Sequence, residues 1–415
     1  MRELAIGFAV LLLTSCRDEQ AGPKKGPQAA QQAPQQGAPQ GMPQAAPPPQ
    51  AMQVLDAVPG ELTFTSGGTW AEGSVKYLGA KVEPKSPKAG DVVHLSHYFT
   101  AVKPPPQGWA FFVHIVDGNS GQMLQNVDHE IQNGAAPLAS WPVGKIIEDA
   151  QSFRMPSYPG PLQFLIGFWK GDQRLPIDQL PVQDGQQRMR GPTLESPQQA
   201  LPEYRVPKAA KAPTIDGKLD DAAWKAAPAV QLNSSMDGSP ANRKTTARVL
   251  YDDKFLYVAF DCDDPDVWGS LKNKDDAIYN EEAVEVFLDA NGDGKTYNEL
   301  QVSPHNVQFD AAFVARRSDL ETAKKWESGM TTAVDVRGTL DDDQPDQGWS
   351  AEMKIPLANL MEVPPLPPKK GDVWRFNLYR LEHHVHREQI EGTSFSPLFV
   401  GDFHHLPRFG KLIFD

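Results

Sequence analysis

From about residue 58 onward the chain is written as short apolar runs that alternate every second residue and break at turn residues. That period constrains its fold more than any other feature. In "DVVHLSHYFT" the residues Val93, Leu95, His97 and Phe99 fall on one face. "AFFVHIVDGNSG" runs into an Asp-Gly turn, and "PLQFLIGFWKGDQR" ends in another turn. Successive side chains of a strand point to opposite faces, so such runs need sheets with one buried side. The second half repeats the pattern in "TTARVLYD", "FLYVAFDCDD", "AVEVFLDA", "TYNELQVSP", "NVQFDAAFVA", "TTAVDVRG", "GWSAEMKIP", "VWRFNLYRLEH" and "FGKLIFD". Helical signals are confined to "DDAAWKAA" after Leu219 and to "SDLETAKKWES", where Ser318 is the expected N-cap. The expected fold class is all-β: two antiparallel β-sandwich domains, residues 56–195 and 212–415, joined by a polar, Pro-rich linker at 196–211.

Residues 17–55 carry Pro, Gln, Ala and Gly with almost no large apolar side chain. Such a segment cannot offset its ordering entropy by burial, so a disordered stalk is expected, extending at most about 3.1 Å per residue. Ahead of it stands "MRELAIGFAVLLLTSC", with Arg2, an apolar run from Leu4 to Leu13, and small residues before Cys16. The run is too short to span a bilayer and suits the core of a signal peptide. Its "LTSC" end resembles the lipobox of bacterial lipoproteins. The resemblance implies a signal peptide over residues 1–16, lipidation of Cys16, and a protein anchored to the membrane of a bacterial cell envelope. Arg17, in place of an aspartate after the cysteine, points to the outer membrane, periplasmic or surface-exposed. Cys262, the second of two cysteines, is then unpaired. It continues the alternation Leu256, Val258, Phe260 and reads as a buried small hydrophobe.

A net charge of −13 excludes a nucleic-acid surface, which needs a basic face. There is no G-x-S-x-G, P-loop or dinucleotide fingerprint. "HEIQN" at His129 falls short of a zinc-protease motif, because Asn133 stands where the second histidine belongs. The acids Glu281, Glu282 and Glu285 and the run Asp261–Asp266 are expected on acidic turns and solvated faces rather than as a glycosidase pair. Five of the ten histidines are C-terminal: His383, His384, His386, His404 and His405. His384 and His386 would share a strand face, but a zinc site needs a third ligand, so a solvated loop is expected there. "DANGDGKTYNEL" opens like a calcium loop at Asp289, Asn291, Asp293 and Gly294, yet has Leu300 at position 12 and lies between strands. An Asn-Gly/Asp-Gly hairpin turn is the simpler expectation. No catalytic module emerges, so the chain reads as a non-enzyme.

Six segments occur in order: "APTIDGKLDDAAWKAA", "VLYDDKFLYVAFDCDDPD", "YNEEAVEVFLDANGDGKTYNELQVSP", "GWSAEMKIPLANL", "GDVWRFNLYR" and "FHHLPRFGKLIF". Together they resemble carbohydrate-binding module family 9 across residues 212–415. The resemblance implies a non-catalytic module that binds oligo- or polysaccharide. Two aromatic rings grip the apolar faces of a pyranose while polar side chains read its hydroxyl rim. By position in the motifs the aromatic pair falls on Tyr279 and Phe403, and the hydroxyl acceptor on Glu285. Two departures stand out: the family's pair is two tryptophans, and its arginine falls on Gln301. In "GDFHHLPRFG", His404 joins the implied contacts, and both adjacent histidines are expected to line the rim or face solvent. No cofactor is required. The family's structural calcium makes Asp289, Asn291 and Asp293 the candidate ion ligands. Two alternatives stay open, a b-type haem-binding electron carrier and a structural lipoprotein without a small ligand, and residues 56–195 receive no role.

Overall fold

The computed structural model describes residues 51–155, 158–178, 185–197, 199–383 and 390–415. Cys16, the signal peptide, nearly all of the expected stalk, His384 and His386 lie outside the described residues. The end of the expected stalk is engaged: Leu55 exchanges two 2.9 Å backbone hydrogen bonds with Ile146, and Met52 packs on the first core.

The first sandwich stacks two five-stranded antiparallel sheets. One joins β1 (Phe64–Thr65), β2 (Thr69–Trp70), β3 (Val75–Glu83), β4 (Val92–Ala101) and β7 (Ile146–Arg154). The other joins β5 (Ala110–Asp117), β6 (Met123–Asn126), β8 (Leu162–Lys170), β9 (Gln173–Arg174) and β10 (Met189–Leu194). β4 buries Val93, Leu95, His97 and Phe99, as its alternation requires. Aromatic rings fill the space between the sheets, Trp70 standing edge-on to Phe168 at 5.2 Å.

The second sandwich contains β11 (Glu203–Val206), β12 (Val230–Ser234), β13 (Thr245–Tyr251), β14 (Phe255–Asp263), β15 (Ala283–Asp289), β16 (Tyr297–Val302), β17 (Gln308–Phe313), β18 (Thr331–Arg337), β19 (Gly348–Pro356), β20 (Val373–His383), β21 (Ile390–Ser394) and β22 (Gly410–Phe414). One sheet runs β17-β16-β15-β20-β21 and the other β13-β14-β19-β18. β12 turns the corner: Val230–Leu232 pair with β13, while Asn233 and Ser234 pair with β21. β11 lies in the stretch read as linker, yet it pairs in parallel with β22 and buries Tyr204 and Val206 in the core. The second sheet system is therefore not wholly antiparallel. Cys262 is 0% exposed and belongs to that core, as expected.

Two helical turns close the edges. α1 (Ala222–Ala226) drops Trp224 onto the outer face of β13 and β14. Glu352, buried on β19, fixes it: one carboxylate oxygen accepts Trp224 Nε1 at 2.6 Å, and the other accepts the Asp216 and Gly217 amides at 2.8 and 2.7 Å. Gly217 is required here, because its φ is +87° and a Cβ would sit 2.5 Å from the Val334 carbonyl carbon. α2 (Leu320–Ala323) is capped by Asp319 rather than Ser318, since the Asp319 carboxylate accepts the Thr322 amide at 2.8 Å.

Glu352→Gln leaves at least one of three buried donors facing an amide that cannot accept it. We expect a loss of about 1–3 kcal/mol in urea-unfolding free energy. A variant as stable as wild type would show that this anchor does not hold the helix.

Candidate functional site

In the β17-β16-β15-β20 sheet, residues alternate between two faces. Val284, Val286, Leu288, Leu300, Val302, Phe376 and Leu378 point into the main core. Ala283, Phe287, Tyr297, Phe309, Ala311, Phe313 and Tyr379 form a second apolar cluster on the outer face, under Ile278, Leu398, Leu406 and Phe409. Across that outer face one ladder row runs Phe309, Gln301, Glu285, Tyr379, Ser394. In the stretch from Phe309 to Tyr379 the ends are aromatic and the middle is polar, and Ser394 follows beyond Tyr379.

The two candidate aromatic residues sit at opposite ends of the row. Tyr279, in a short 3-10 turn at Ile278–Asn280, stands edge-on to Phe309 at 5.4 Å. Phe403 lies flat on Tyr379, with centroids 4.2 Å apart and an interplanar angle of 10°. Tyr379 donates its hydroxyl to the Phe403 carbonyl at 2.8 Å. Phe309 and Tyr379 are three strand spacings apart, about 14 Å, so the two candidate rings are not in contact. Glu285 and Gln301 form the floor between them at 1% and 0% exposure. Gln301 donates to Glu299 at 2.5 Å, and its Oε1 has no hydrogen-bond partner among the described residues.

Glu299, Tyr379, Phe309 and Tyr297 were not among the residues singled out from sequence. Strand parity alone places Glu299 and Glu285 on the same face. Burial pushes Glu299 up to about 8, against the pull of Gln301 and Arg317. Burial, and then the neighbouring Glu299, hold Glu285 well above the usual carboxylate range. At neutral pH the floor is therefore largely protonated and can donate as well as accept.

Of the "HH" pair, His405 is fully buried, contrary to the sequence expectation, while His404 is half-buried beside Glu299. His404 packs against Phe287, Tyr297 and Phe313 with ring centroids 5.2 to 5.7 Å apart. The Tyr297 hydroxyl accepts the Arg317 amide at 3.2 Å and shares a 2.6 Å hydrogen bond with His404 Nδ1. Burial and Arg317 depress His404 to about 3. His405 is 0% exposed, and burial lowers it to about 4. Both rings stay neutral because burial disfavours the charged form, and at His404 the Arg317 guanidinium adds to it. Asp402, in the same loop, is held at about 2 by Arg317 and Arg316 although burial alone would raise it.

The expectation of solvated acids holds for Asp263, which is exposed, and for Asp261, but fails for Asp264, Glu281, Glu282 and Glu285, which are buried. Asp264, Glu282 and Glu382 bring carboxylate oxygens within 4.8 Å of one another, an oxygen set able to hold a hard divalent cation. Arg380 already occupies this group, donating to Asp264 at 2.8 Å and to Glu382. Burial, then the charges of Asp264 and Glu382, push Glu282 up to about 11. At the Asp289 turn, Asp289 accepts the Asp293 and Gly294 amides, and Asp293 accepts those of Lys295 and Thr296. His383, expected in a solvated loop, is a buried β20 residue edge-on to Trp268 at 5.7 Å. A separate hollow of about 220 Å³, lined by Trp109, Phe111, Ile131, Leu138 and Phe168, lies in the first sandwich, away from the row.

The protonated floor has a linkage consequence. A carboxyl whose folded pKa exceeds its unfolded value binds more protons when folded, so stability falls as pH rises toward the folded value. The depressed histidines act oppositely, but only below their unfolded value near 6.5. Above about pH 6.5 the depressed histidines no longer contribute, and His129, held above its ordinary value by Asp149 despite burial, adds to the same trend. Stability should decline by up to about 1.4 kcal/mol per pH unit for each proton released. Glu299→Gln should flatten that decline in thermal scans. An unchanged slope would show that Glu299 is ionised throughout.

Residues 215–385 match the family described as carbohydrate family 9 binding domain-like. An extracellular protein of Arthroderma benhamiae is 30% identical over 188 residues, covering 41% of this chain and 78% of that protein. An exoglucanase, XynX, of Acetivibrio thermocellus is 37% identical over 98 residues, 24% of this chain. An endo-1,4-beta-xylanase A of Thermoanaerobacterium saccharolyticum is 36% identical over the same length. The chain spans only 8% of the length of each of these two enzymes. Among solved structures, a family 9 module from Caldicellulosiruptor kristjanssonii in complex with cellotriose has a TM-score of 0.38 at 19% identity, covering 51% of this chain and 93% of that one. Through residues 215–385 the chain belongs to the carbohydrate family 9 binding domain-like family.

Proposed function

We propose that the second sandwich binds carbohydrate non-catalytically along the row from Tyr279 to Phe403. The observation that carries this is the row's layout, with an aromatic ring above each end and a polar pair, Glu285 and Gln301, between. A pyranose has apolar C–H faces and a hydroxyl rim, and such a site meets both. Gln301 brings an unused acceptor, and the protonated floor brings donors. Glu285 and Gln301 are covered in this conformation, so a sugar meets the two rings first and reaches the floor only after a side chain above it moves. Neutral β-linked gluco- and xylo-oligosaccharides are the ligands to test first. A wall of Tyr and Phe in place of two tryptophans offers less stacking area, which favours weak binding.

The reading extends to the cell surface. Cys16, after its short apolar run, would carry the lipid that anchors the protein to a bacterial envelope membrane, with the Pro/Gln/Ala-rich segment as the tether.

Isothermal titration of the intact protein with cello- and xylo-oligosaccharides should show binding that Phe403→Ala weakens about tenfold or more, the usual worth of an aromatic contact. Glu285→Gln should weaken it less. Absence of heat with every glycan tried would defeat the reading. In a bacterial host, Cys16→Ser should move the protein from the membrane fraction to the soluble fraction, and continued membrane attachment would sink the lipid anchor.

A further inference from the structure

The loop that carries Phe403 is held from two sides. The second sandwich grips it through the Ser235 carbonyl, which accepts the Leu398 and Phe399 amides at 2.8 and 3.1 Å. Tyr379 holds the Phe403 carbonyl, and Arg316 and Arg317 hold Asp402. The first sandwich grips the same loop. Phe399 and Val400 pack on the first sandwich's core. Gln122 Nε2 donates to the His404 carbonyl at 3.5 Å. His405 Nε2 lies 3.1 Å from the Tyr158 hydroxyl, their rings edge-on at 5.8 Å, and Tyr158 in turn donates to Asp117.

The last three groups form one directed chain. Asp117 can only accept, so Tyr158 spends its proton on it. His405 must then carry its own proton on Nε2 and donate to the Tyr158 oxygen. His405, Tyr158 and Asp117 are 0%, 2% and 4% exposed. Asp117 itself is fixed at the end of β5, its other oxygen accepting the Asn119 and Ser120 amides at 2.7 and 2.8 Å. Phe403 is two residues from His405. A buried run of hydrogen bonds from His405 Nε2 through Tyr158 to Asp117 fixes one arrangement of its members, where apolar contact alone would tolerate sliding; His405 Nδ1 has no partner among the described residues.

We infer that the first sandwich sets the position of the ligand platform in the second, with Tyr158 and Asp117 as positioning residues acting through His405 on Phe403. This gives residues 56–195 a role, and it rests on the sugar-binding reading for its consequence though not for its geometry. The groups facing His405 are Tyr158 and Asp117 from the first sandwich and Asp402, Arg316 and Arg408 from the second. None of them offers a competing acceptor for the Nε2 proton within the distances that Tyr158 satisfies.

The test uses the full-length protein and two readouts. Tyr158→Phe keeps the ring and removes only the hydroxyl. Hydrogen–deuterium exchange of the peptide covering 398–409 should rise about three- to tenfold, the worth of one buried hydrogen bond, with β15 and β16 unchanged. Affinity for cellotriose or a xylo-oligosaccharide should fall by a similar factor while the melting temperature stays close to wild type. Asp117→Asn keeps a polar partner for the hydroxyl, because His405 can switch tautomer and reverse the chain, so it should retain protection of 398–409. Unchanged exchange and affinity within twofold in Tyr158→Phe would overturn the proposal. If wild type binds no glycan, the sugar reading fails, and the exchange measurement alone still decides whether the first sandwich braces the loop.

Discussion

The two-residue side-chain period, shared in register by β15, β16, β17 and β20, governs what each face of the second sandwich can become. Val284, Val286, Leu300, Val302 and Leu378 must all point inward for the core to close. Glu285, Gln301 and Tyr379 then have no choice but to line up outside, because they are the register partners on the opposite parity. A slip of one residue would bury the acids in the core and expose the valines, so the core's own stability locks the polar row in place. The site needs no separate scaffold.

Burying that many acids demands compensation, and the molecule uses two different kinds. Around Asp264 and Glu382 it supplies Arg380, whose guanidinium stays charged at any relevant pH and forks between two carboxylates. On the outer face there is no such cation within the row. Arg316 and Arg317 are engaged with Asp402, and Glu285 and Glu299 are left to hold protons. The first arrangement is permanently ionic and suits a structural cross-link between β14 and β20. The second is close to neutral and presents both donors and acceptors, which matches hydroxyls better than it would match a charged ligand.

Local pattern carried much of this into the sequence. The alternation of Val93, Leu95, His97 and Phe99 and the burial of Cys262 follow from period two, which needs no knowledge of distant residues, while Glu285 and Gln301 were singled out by the family resemblance. The failures have one physical source. Glu282, Asp264 and His405 were expected near solvent because burying a polar or charged side chain is costly. Each is made tolerable by a partner or environment far along the chain: Arg380 is 116 residues from Asp264, and Tyr158 is 247 from His405. Nothing in the immediate neighbourhood of "DDPD" or "FHHLPRFG" signals those partners. β11 was missed for the same reason, since "EYRV" is a strand only because the last strand of the chain lies beside it.

A stacking ring grips a sugar only if its own plane is fixed, since a site must hold its contacting groups to within about 0.5 Å to be productive. Phe403 lies in a loop between β21 and β22, outside the ladder bonds that fix Tyr379 below it. Leaving such a loop free would make the ligand bear the cost of ordering it, and affinity would fall accordingly. The loop is ordered in advance by contacts that the sugar never touches: Ser235 at its start, Asp402 between two arginines, and His405 seated on the neighbouring sandwich. The second sandwich also holds the loop's end, Arg375 donating to the Phe409 carbonyl, and the His405 contact is the one supplied by the other domain. The second sandwich supplies the face, and the first completes the order of the segment that closes over it.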